Sequence, residues 1–299
     1  MACSGPVIRA VTFPGQGSQQ PGAGAPWRER PQWRLVEEGS AVLNRDLAAL
    51  LLDTPAPQLR GPWEAQVSTY LVSMLCWDAY EGPAPVAFAG HSLGEWTALA
   101  ASGAVSFAAG LRLVGARGAA MADAAAARPG SMAALVGVAD DAVEDACAAA
   151  ADVWPANFNA EGQVVVSGEP GHFAAVGAAC GARRVLPIPV GGAYHTPWME
   201  PARQPLAAAL AADPPGFAKI PIWSNVDAAP HTDDLADRLL AQLTAPVRWR
   251  HTVHGLVEGG VDEFVELGPG AVLTNLAKRN APNAVRRSAA TPTELRDLA

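Results

Sequence analysis

Residues 90–95 read Gly-His-Ser-Leu-Gly-Glu, a serine in the frame Gly-x-Ser-x-Gly with a glutamate closing it. The run before it, Val86-Ala87-Phe88-Ala89, is short and apolar and follows Gly82-Pro83-Ala84-Pro85, the pattern of a buried strand bounded by turn residues. The run after it, residues 93–102, is rich in Ala, Leu, Glu and Trp and stops at Gly103, as a helix with a glycine C-cap does. Strand, tight turn and helix in that order are the setting of a nucleophile elbow, which lifts the serine hydroxyl clear of the backbone at the positive end of a helix. Gly90 and Gly94 then have a steric purpose, because strand and helix must pass close to one another at such a turn. The frame alone also fits a hydroxyl in a glycine-rich loop; the flanking elements favour the elbow.

Composition agrees with an enzyme of this kind. The chain has 299 residues, 50% hydrophobic, 17% charged and 6% aromatic, enough for a large core in one main domain with a smaller one attached. A net charge of -8 speaks against binding nucleic acid through a basic surface. Cys3, Cys76, Cys147 and Cys180 are far apart and form no Cys-x-x-Cys pair, which argues against a zinc site and a disulfide framework and for a reducing cytoplasm. No apolar run approaches the roughly 18 residues needed to cross a bilayer, and the N-terminus has no signal-peptide core. No membrane partner is expected, and the chain is expected to act as a monomer.

Upstream, residues 7–13 read as a strand running into Pro14-Gly15-Gln16-Gly17-Ser18-Gln19, a loop too glycine-rich for helix or strand. It is either a surface turn or a source of backbone N–H groups for a developing negative charge. Residues 131–190 carry a second pattern: strand 132–137, helix 140–150, strands 153–159 and 163–167, helix 171–179 and strand 184–190, a βαββαβ unit. Residues 220–225 and 263–267 read as further strands of the main sheet. Ser106 is placed to cap a helix reaching about residue 125, with an apolar stripe at Phe107, Leu111, Val114 and Met121 and with Arg117 at its edge. Arg117 either lays its stem along the core and reaches water or points into a cleft, where a guanidinium fits a bidentate carboxylate.

Six blocks now fall in a known order: FPGQGSQ at 13–19, GHSLGE at 90–95, ARGAAM at 116–121, NFNAEGQVVVSG at 157–168, GAYHTPWM at 192–199 and ELGPGAVLTNL at 266–276. Over about residues 7–280 the chain resembles malonyl-CoA:acyl carrier protein transacylases and the related acyltransferase domains of polyketide synthases. The resemblance implies an α/β fold, an α/β-hydrolase-like large subdomain (1–130 and 197–299) with an inserted ferredoxin-like small subdomain (131–196). It implies Ser92 as nucleophile and His195 as its base, the imidazole being oriented by backbone carbonyls near residues 245–249, with the Arg248 carbonyl expected to hold it. The implied oxyanion donors are the backbone N–H groups of Gln16 and Leu93. Arg117 matches the arginine that takes the free carboxylate of the acyl group. Gln66 matches a glutamine lining the site, although Val67 stands where the family has proline. His91 and Asn159 match positions beside the nucleophile. Tyr194 matches the residue bordering C2 of the acyl group, where a bulky aromatic accompanies malonyl. The segment 21–27 departs from the family pattern, and Trp96 stands where a smaller aromatic is common.

The implied reaction is ping-pong transfer of a malonyl unit from malonyl-CoA through Ser92 to the phosphopantetheine thiol of an acyl carrier protein, in polyketide or fatty acid biosynthesis. It requires no metal and no bound redox cofactor, the coenzyme A thioester being substrate. An acidic carrier needs a local basic patch; the pairs Arg183 and Arg184, Lys278 and Arg279, and Arg286 and Arg287 are candidates, each equally a solvated face. His172 and His231 lie in polar stretches and read as solvated. His251 and His254 have a spacing that suits a metal but lack carboxylate or thiol company. A serine hydrolase or thioesterase shares the elbow but draws its histidine late in the chain, at His251 or His254, which leaves the Gln16 loop and Arg117 without a purpose. An acyltransferase taking a different acyl unit from a carrier protein and a catalytically silent docking partner are the other readings; intact Ser92, His195 and Arg117 oppose the last.

Overall fold

The computed structural model describes residues 7–232 and 234–298, so Cys3 lies outside the described residues. Among those residues the strands, in chain order, are β1 (Arg9–Phe13), β2 (Ala87–Gly90), β3 (Ser131–Val136), β4 (Val153–Ala160), β5 (Gln163–Gly168), β6 (Arg184–Ile188), β7 (Glu263–Leu267) and β8 (Val285–Ala289). One sheet has the order β2-β1-β7-β8 with every pairing parallel. Its inner strands are covered on both faces, and β1, β2 and β7 are buried along their length, as parallel sheets require. The helix Pro62–Asp78 leads toward β2 and is buried from Ala65 to Cys76. The helix Phe107–Ala127 packs beside it, its start capped by Ser106, whose hydroxyl accepts from the Ala109 N–H at 3.2 Å. This is the α/β-hydrolase-like large subdomain.

The second sheet is antiparallel with the order β4-β5-β3-β6. Read with the helices Asp140–Ala149 and Phe173–Ala179, it is the βαββαβ topology of a ferredoxin-like small subdomain. Alternation along β3 divides its side chains between two cores. Ala133 and Leu135 face the helices, with Val143, Phe158, Val164 and Phe173; Met132 and Ala134 face the other way into the main core. The two sheets are tied together at residue 247, whose N–H donates to the Ala156 carbonyl and whose carbonyl accepts from Phe158.

The parallel register brings the chain's functional loops to one edge. Phe13 pairs with Gly90, so the Gly15–Gly17 turn and the Ser92 turn both leave the carboxyl end of the sheet, side by side, where open α/β sheets bind ligands. Two elements differ from expectation. Residues 220–225 make a single bridge to the main sheet, Phe88 with Ile222, because Pro221 has no N–H to donate and the chain folds back through the Trp223–Pro230 bridge. The strand β8 was not legible, since Val-Arg-Arg-Ser-Ala carries two charges; it is an edge strand whose outer face meets water.

Candidate active site

Ser92 sits at φ 52°, ψ -102°, between β2 and the helix Leu93–Ala101. A non-glycine residue there costs on the order of 1–3 kcal/mol and persists only when its surroundings dictate it. The surroundings are steric first: a Cβ on Gly94 would overlap the Phe13 carbonyl, and one on Gly90 would overlap the Gly94 backbone. They are also stapled. The Ser92 N–H donates to Asn225 Oδ1 at 2.6 Å, while Asn225 Nδ2 donates to the Gly90 carbonyl at 2.7 Å, so one side chain spans both limbs of the turn.

Ser92 Oγ lies 2.8 Å from His195 Nε2. His195 too has a positive φ, 61°. Its Nδ1 faces two carbonyls, of Gln242 at 2.9 Å and Ala245 at 3.2 Å. Carbonyls only accept, so Nδ1 carries the proton and Nε2 presents its lone pair to the serine. Gln242 follows the helix Leu235–Ala241 as its C-cap, where backbone carbonyls lack intrahelical partners and the helix dipole is negative. Burial, and then the Arg117 charge, push the His195 pKa down from 6.5 to about 3. The imidazole is therefore neutral and able to accept a proton.

Arg117, 1% exposed, approaches from the helix Phe107–Ala127. Its NH1 donates to Gln66 Oε1 at 2.7 Å, and NH2 to Ser92 Oγ at 3.0 Å and Gln242 Oε1 at 3.1 Å. Its Nε–H is buried and has no partner among the described residues. Burial lowers the Arg117 pKa to about 10, against the opposing pull of Glu95 and Tyr194, and the group stays cationic at neutral pH. The edge formed by Nε and NH2 is the fork that a carboxylate grips.

In front of Ser92 opens a cavity of about 290 Å³. Gly15, Gln16, Gly17 and Ser18 line one side, His91, Asn159 and Asn157 another, and Tyr194, Ile188, Val190, Met121 and Met132 an apolar wall; Val272, Leu273 and Leu276 complete it. Among the described residues neither the Gln16 nor the Leu93 amide donates to a protein acceptor. His91 Nε2 and Asn159 Oδ1 are 2.8 Å apart. The Tyr194 hydroxyl is buried with no hydrogen-bond partner among the described residues; burial raises its pKa, against the Gln16 side chain and Arg117, which draw it down. Such a pocket can bring an acyl group to a serine whose proton has an acceptor, with two free amides close to the reacting carbon.

The family described as acyl transferase domain matches residues 11–297. The chain belongs to that family. A malonyl CoA-acyl carrier protein transacylase of Escherichia coli O157:H7 is 40% identical over 285 residues, covering 90% of this chain and 92% of the relative. An acyl carrier protein S-malonyltransferase from Vibrio cholerae superposes with a TM-score of 0.92 at 36% identity, covering 97% of this chain and 99% of that one. A malonyl-transacylase solved in complex with a type II PKS acyl-carrier protein gives a TM-score of 0.92 at 36% identity, covering 97% and 98%.

In this acyl transferase the sequence-derived set comes together, with one correction. Ser92, His195, Gln16, Tyr194, His91 and Asn159 line one cavity, with the Leu93 amide at the elbow; Arg117 and Gln66 stand behind the serine. Arg248 does not hold His195. Its carbonyl accepts from Thr252 to begin the helix Trp249–Glu258, and its N–H donates to the Asn225 carbonyl; Gln242 and Ala245 supply the acceptors instead. His231 is not solvated, its side chain being 3% exposed and bonded to Glu95 at 2.6 Å. Asn225, Gln242 and Glu95 were not singled out by sequence. Ser-x-x-Glu at 92–95 resembles a capping box, but Glu95 turns to Asn225 and Gln242, away from the Ser92 N–H.

Proposed function

We propose that the chain transfers a malonyl group from coenzyme A to the phosphopantetheine thiol of an acyl carrier protein, with Ser92 as nucleophile, His195 as general base and Arg117 as the carboxylate clamp. The observation that carries this reading is the junction at Ser92 Oγ, 2.8 Å from His195 Nε2 and 3.0 Å from Arg117 NH2. Ser92 Oγ attacks the thioester carbon while its proton passes to His195 Nε2, and the oxyanion is met by the Gln16 and Leu93 amides. The tetrahedral species collapses, the C–S bond breaks, and the coenzyme A sulfur takes the proton from His195. The carrier thiol then gives its proton to the same nitrogen and attacks the acyl-serine, and Ser92 recovers the proton as it leaves. These steps call on no metal and no redox cofactor.

The clamp also serves the base. Arg117 opposes protonation of His195, and a malonyl carboxylate gripping Arg117 cancels part of that opposition; an acetyl group does not. Tyr194 forms the wall against C2, so an added methyl disfavours methylmalonyl by about 1–3 kcal/mol, or roughly 10- to 200-fold. For the acidic carrier, Lys278 and Arg279 are exposed on the helix whose start lines the cavity, although Arg279 also donates to the Glu161 carbonyl and Gln163, and Lys278 to Asn275. Arg286 is occupied with carbonyls of residues 281, 282 and 284, and Arg287 with Glu263. The same chemistry serves fatty acid or polyketide assembly. Cys76, Cys147 and Cys180 are buried and free, which suits a reducing cytoplasm, and no helix of the described residues is long and apolar enough to cross a membrane.

Intact-mass measurement after mixing with acyl-CoAs tests the reading. Malonyl-CoA should add one malonyl unit to the wild type and none to Ser92→Ala, while Arg117→Ala should lose malonyl loading and keep or gain acetyl loading. Methylmalonyl-CoA should compete poorly except in Tyr194→Ser. Labelling that survives in Ser92→Ala sinks the nucleophile, and an equal fall with both donors in Arg117→Ala sinks the clamp.

A further inference from the structure

Glu95 and His231 take no part in the steps above, yet they form a buried hydrogen-bonded pair directly behind them. Glu95 is fully buried. Its Oε1 meets His231 Nε2 at 2.6 Å, and this is the one side-chain hydrogen bond of His231 among the described residues, its Nδ1 having no partner. Glu95 Oε2 accepts from the Asn225 backbone N–H at 3.1 Å and from Gln242 Nε2.

Gln242 is the junction of the site. Its Oε1 faces Trp96 Nε1 at 2.9 Å and Arg117 NH2 at 3.1 Å, groups that only donate. Its Nε2 faces the Ser92 carbonyl at 3.0 Å and the Glu95 carboxylate, groups that only accept. Turning the amide over would set donors against donors and acceptors against acceptors. Its backbone carbonyl meanwhile holds His195 Nδ1. Asn225 Oδ1 is a third, longer acceptor at 3.4 Å, and of the three the carboxylate is the nearest and the strongest, since a hydrogen bond to a carboxylate has about twice the strength of a neutral one.

We propose that Glu95, anchored by His231, is a positioning residue that fixes the Gln242 amide and, through it, the Arg117 guanidinium at Ser92. This rests on the reading of Arg117 as carboxylate clamp given above. Without the Glu95 acceptor the Gln242 Nε2 keeps only the neutral Ser92 and Asn225 oxygens, so the amide is held less firmly and the Arg117 nitrogen nearest the serine has a less fixed acceptor, while the other keeps Gln66. A donor that carries its own carboxylate needs that placement; acetyl-CoA does not. Glu95 and His231 therefore set acyl selectivity from behind the elbow without touching substrate.

The test is the ratio of kcat/KM for malonyl-CoA over acetyl-CoA, measured on the full chain alongside folding by circular dichroism and Tm. Glu95→Ala should lower the ratio about 10- to 100-fold, the loss expected of a hydrogen bond to a charged group, with the malonyl KM rising and the acetyl constants moving little. Glu95→Gln keeps an acceptor for Gln242 and should restore most of the ratio. His231→Ala should lower it less than Glu95→Ala, and His231→Gln, whose amide N–H reaches the place of Nε2, should recover it. A merely structural pair would lower Tm and depress both donors alike, so an unchanged ratio in folded Glu95→Ala overturns the inference. If Glu95→Ala does not fold, an unchanged ratio in His231→Ala does the same. Arg117→Ala separates the two claims: if its own ratio is unchanged, the clamp fails and this inference with it; if it changes while the Glu95 and His231 variants do not, the inference alone fails.

Discussion

The two sides of Ser92 are built on opposite principles. On one side the elbow spans residues 90–95, all consecutive, and its constraint is steric: small residues let the helix Leu93–Ala101 lie against β1 and β2, and the serine is forced to a positive φ. On the other side stands a wall made of Asn225, Gln242 and Ala245, at least 133 residues away in the chain, and its constraint is a set of hydrogen-bond partners in the right places. The elbow creates a reactive geometry, and the wall gives that geometry a direction. Strain is cheap to specify locally. Orientation of a proton acceptor has to come from wherever the backbone happens to offer carbonyls.

If the elbow is held by sterics, Gly94→Ala should be the most damaging small change in the protein. The added Cβ meets the Phe13 carbonyl, which belongs to a central strand, so the strand or the helix must move. We expect acylation to vanish and stability to fall by more than about 3 kcal/mol, beyond the 1–3 kcal/mol typical of overpacking, checked by mass spectrometry and denaturant unfolding. A folded, active Gly94→Ala would show that hydrogen bonds, and not close approach, hold the turn.

The wall predicts a smaller effect. Asn225→Ala leaves the Ser92 N–H and the Gly90 carbonyl without their partner, at about 1–3 kcal/mol for the unsatisfied groups, and kcat should fall about 10- to 100-fold with malonyl and acetyl donors alike. Because the Asn225 side chain gives Arg117 no hydrogen bond and meets Gln242 only at 3.4 Å, selectivity should largely survive. A shift in selectivity would mean that the wall acts as one unit and that the division of labour between Asn225 and Glu95 is wrong.

The gentlest probe is pH. On the proposed mechanism His195 works as the neutral imidazole, and its pKa is pushed down to about 3 by burial and then by Arg117. The profile of kcat/KM should therefore stay flat well below 6.5, where an ordinary histidine would already be charged. In Arg117→Ala, read with acetyl-CoA, the acid limb should move to higher pH and still lie below 6.5, because burial is the larger cause. Stability runs with the same sign: the His195 contribution is complete above about pH 6.5 and is lost as pH falls toward 3, since the unfolded chain takes up the proton that the buried imidazole refuses. An acid limb that stays in place in Arg117→Ala would remove the electrostatic link between clamp and base.

The elbow was legible because its causes are residue types. Gly90 and Gly94 are there to be small, and Ser92 and His195 bring chemistry no backbone atom has. The βαββαβ unit was legible for a related reason, since short apolar runs such as residues 132–136 and 164–166 take turns with alanine-rich helical stretches in the letters. What failed to show has causes in position. Every residue except proline offers the same N–H and carbonyl, so nothing in the letters distinguishes the Gln242 and Ala245 carbonyls, which hold the base, from that of Arg248, which starts a helix. Residues 220–225 looked like a strand by hydrophobicity, yet Pro221 and the fold-back at Trp223 leave one bridge to the main sheet and aim Asn225 at the serine.

The sequence by itself carried the proposed reacting groups, the turn that presents one of them and the βαββαβ unit, because each depends on side-chain size, chemistry or pattern, while the hydrolase-like sheet was implied by the family resemblance. Tertiary structure alone decided which carbonyls orient His195, that His231 is a buried partner of Glu95, and that Gln242 joins Ser92, His195 and Arg117. Those are meetings of ordinary groups from distant segments, and only the closed fold, by excluding water from around them, makes each partner obligatory.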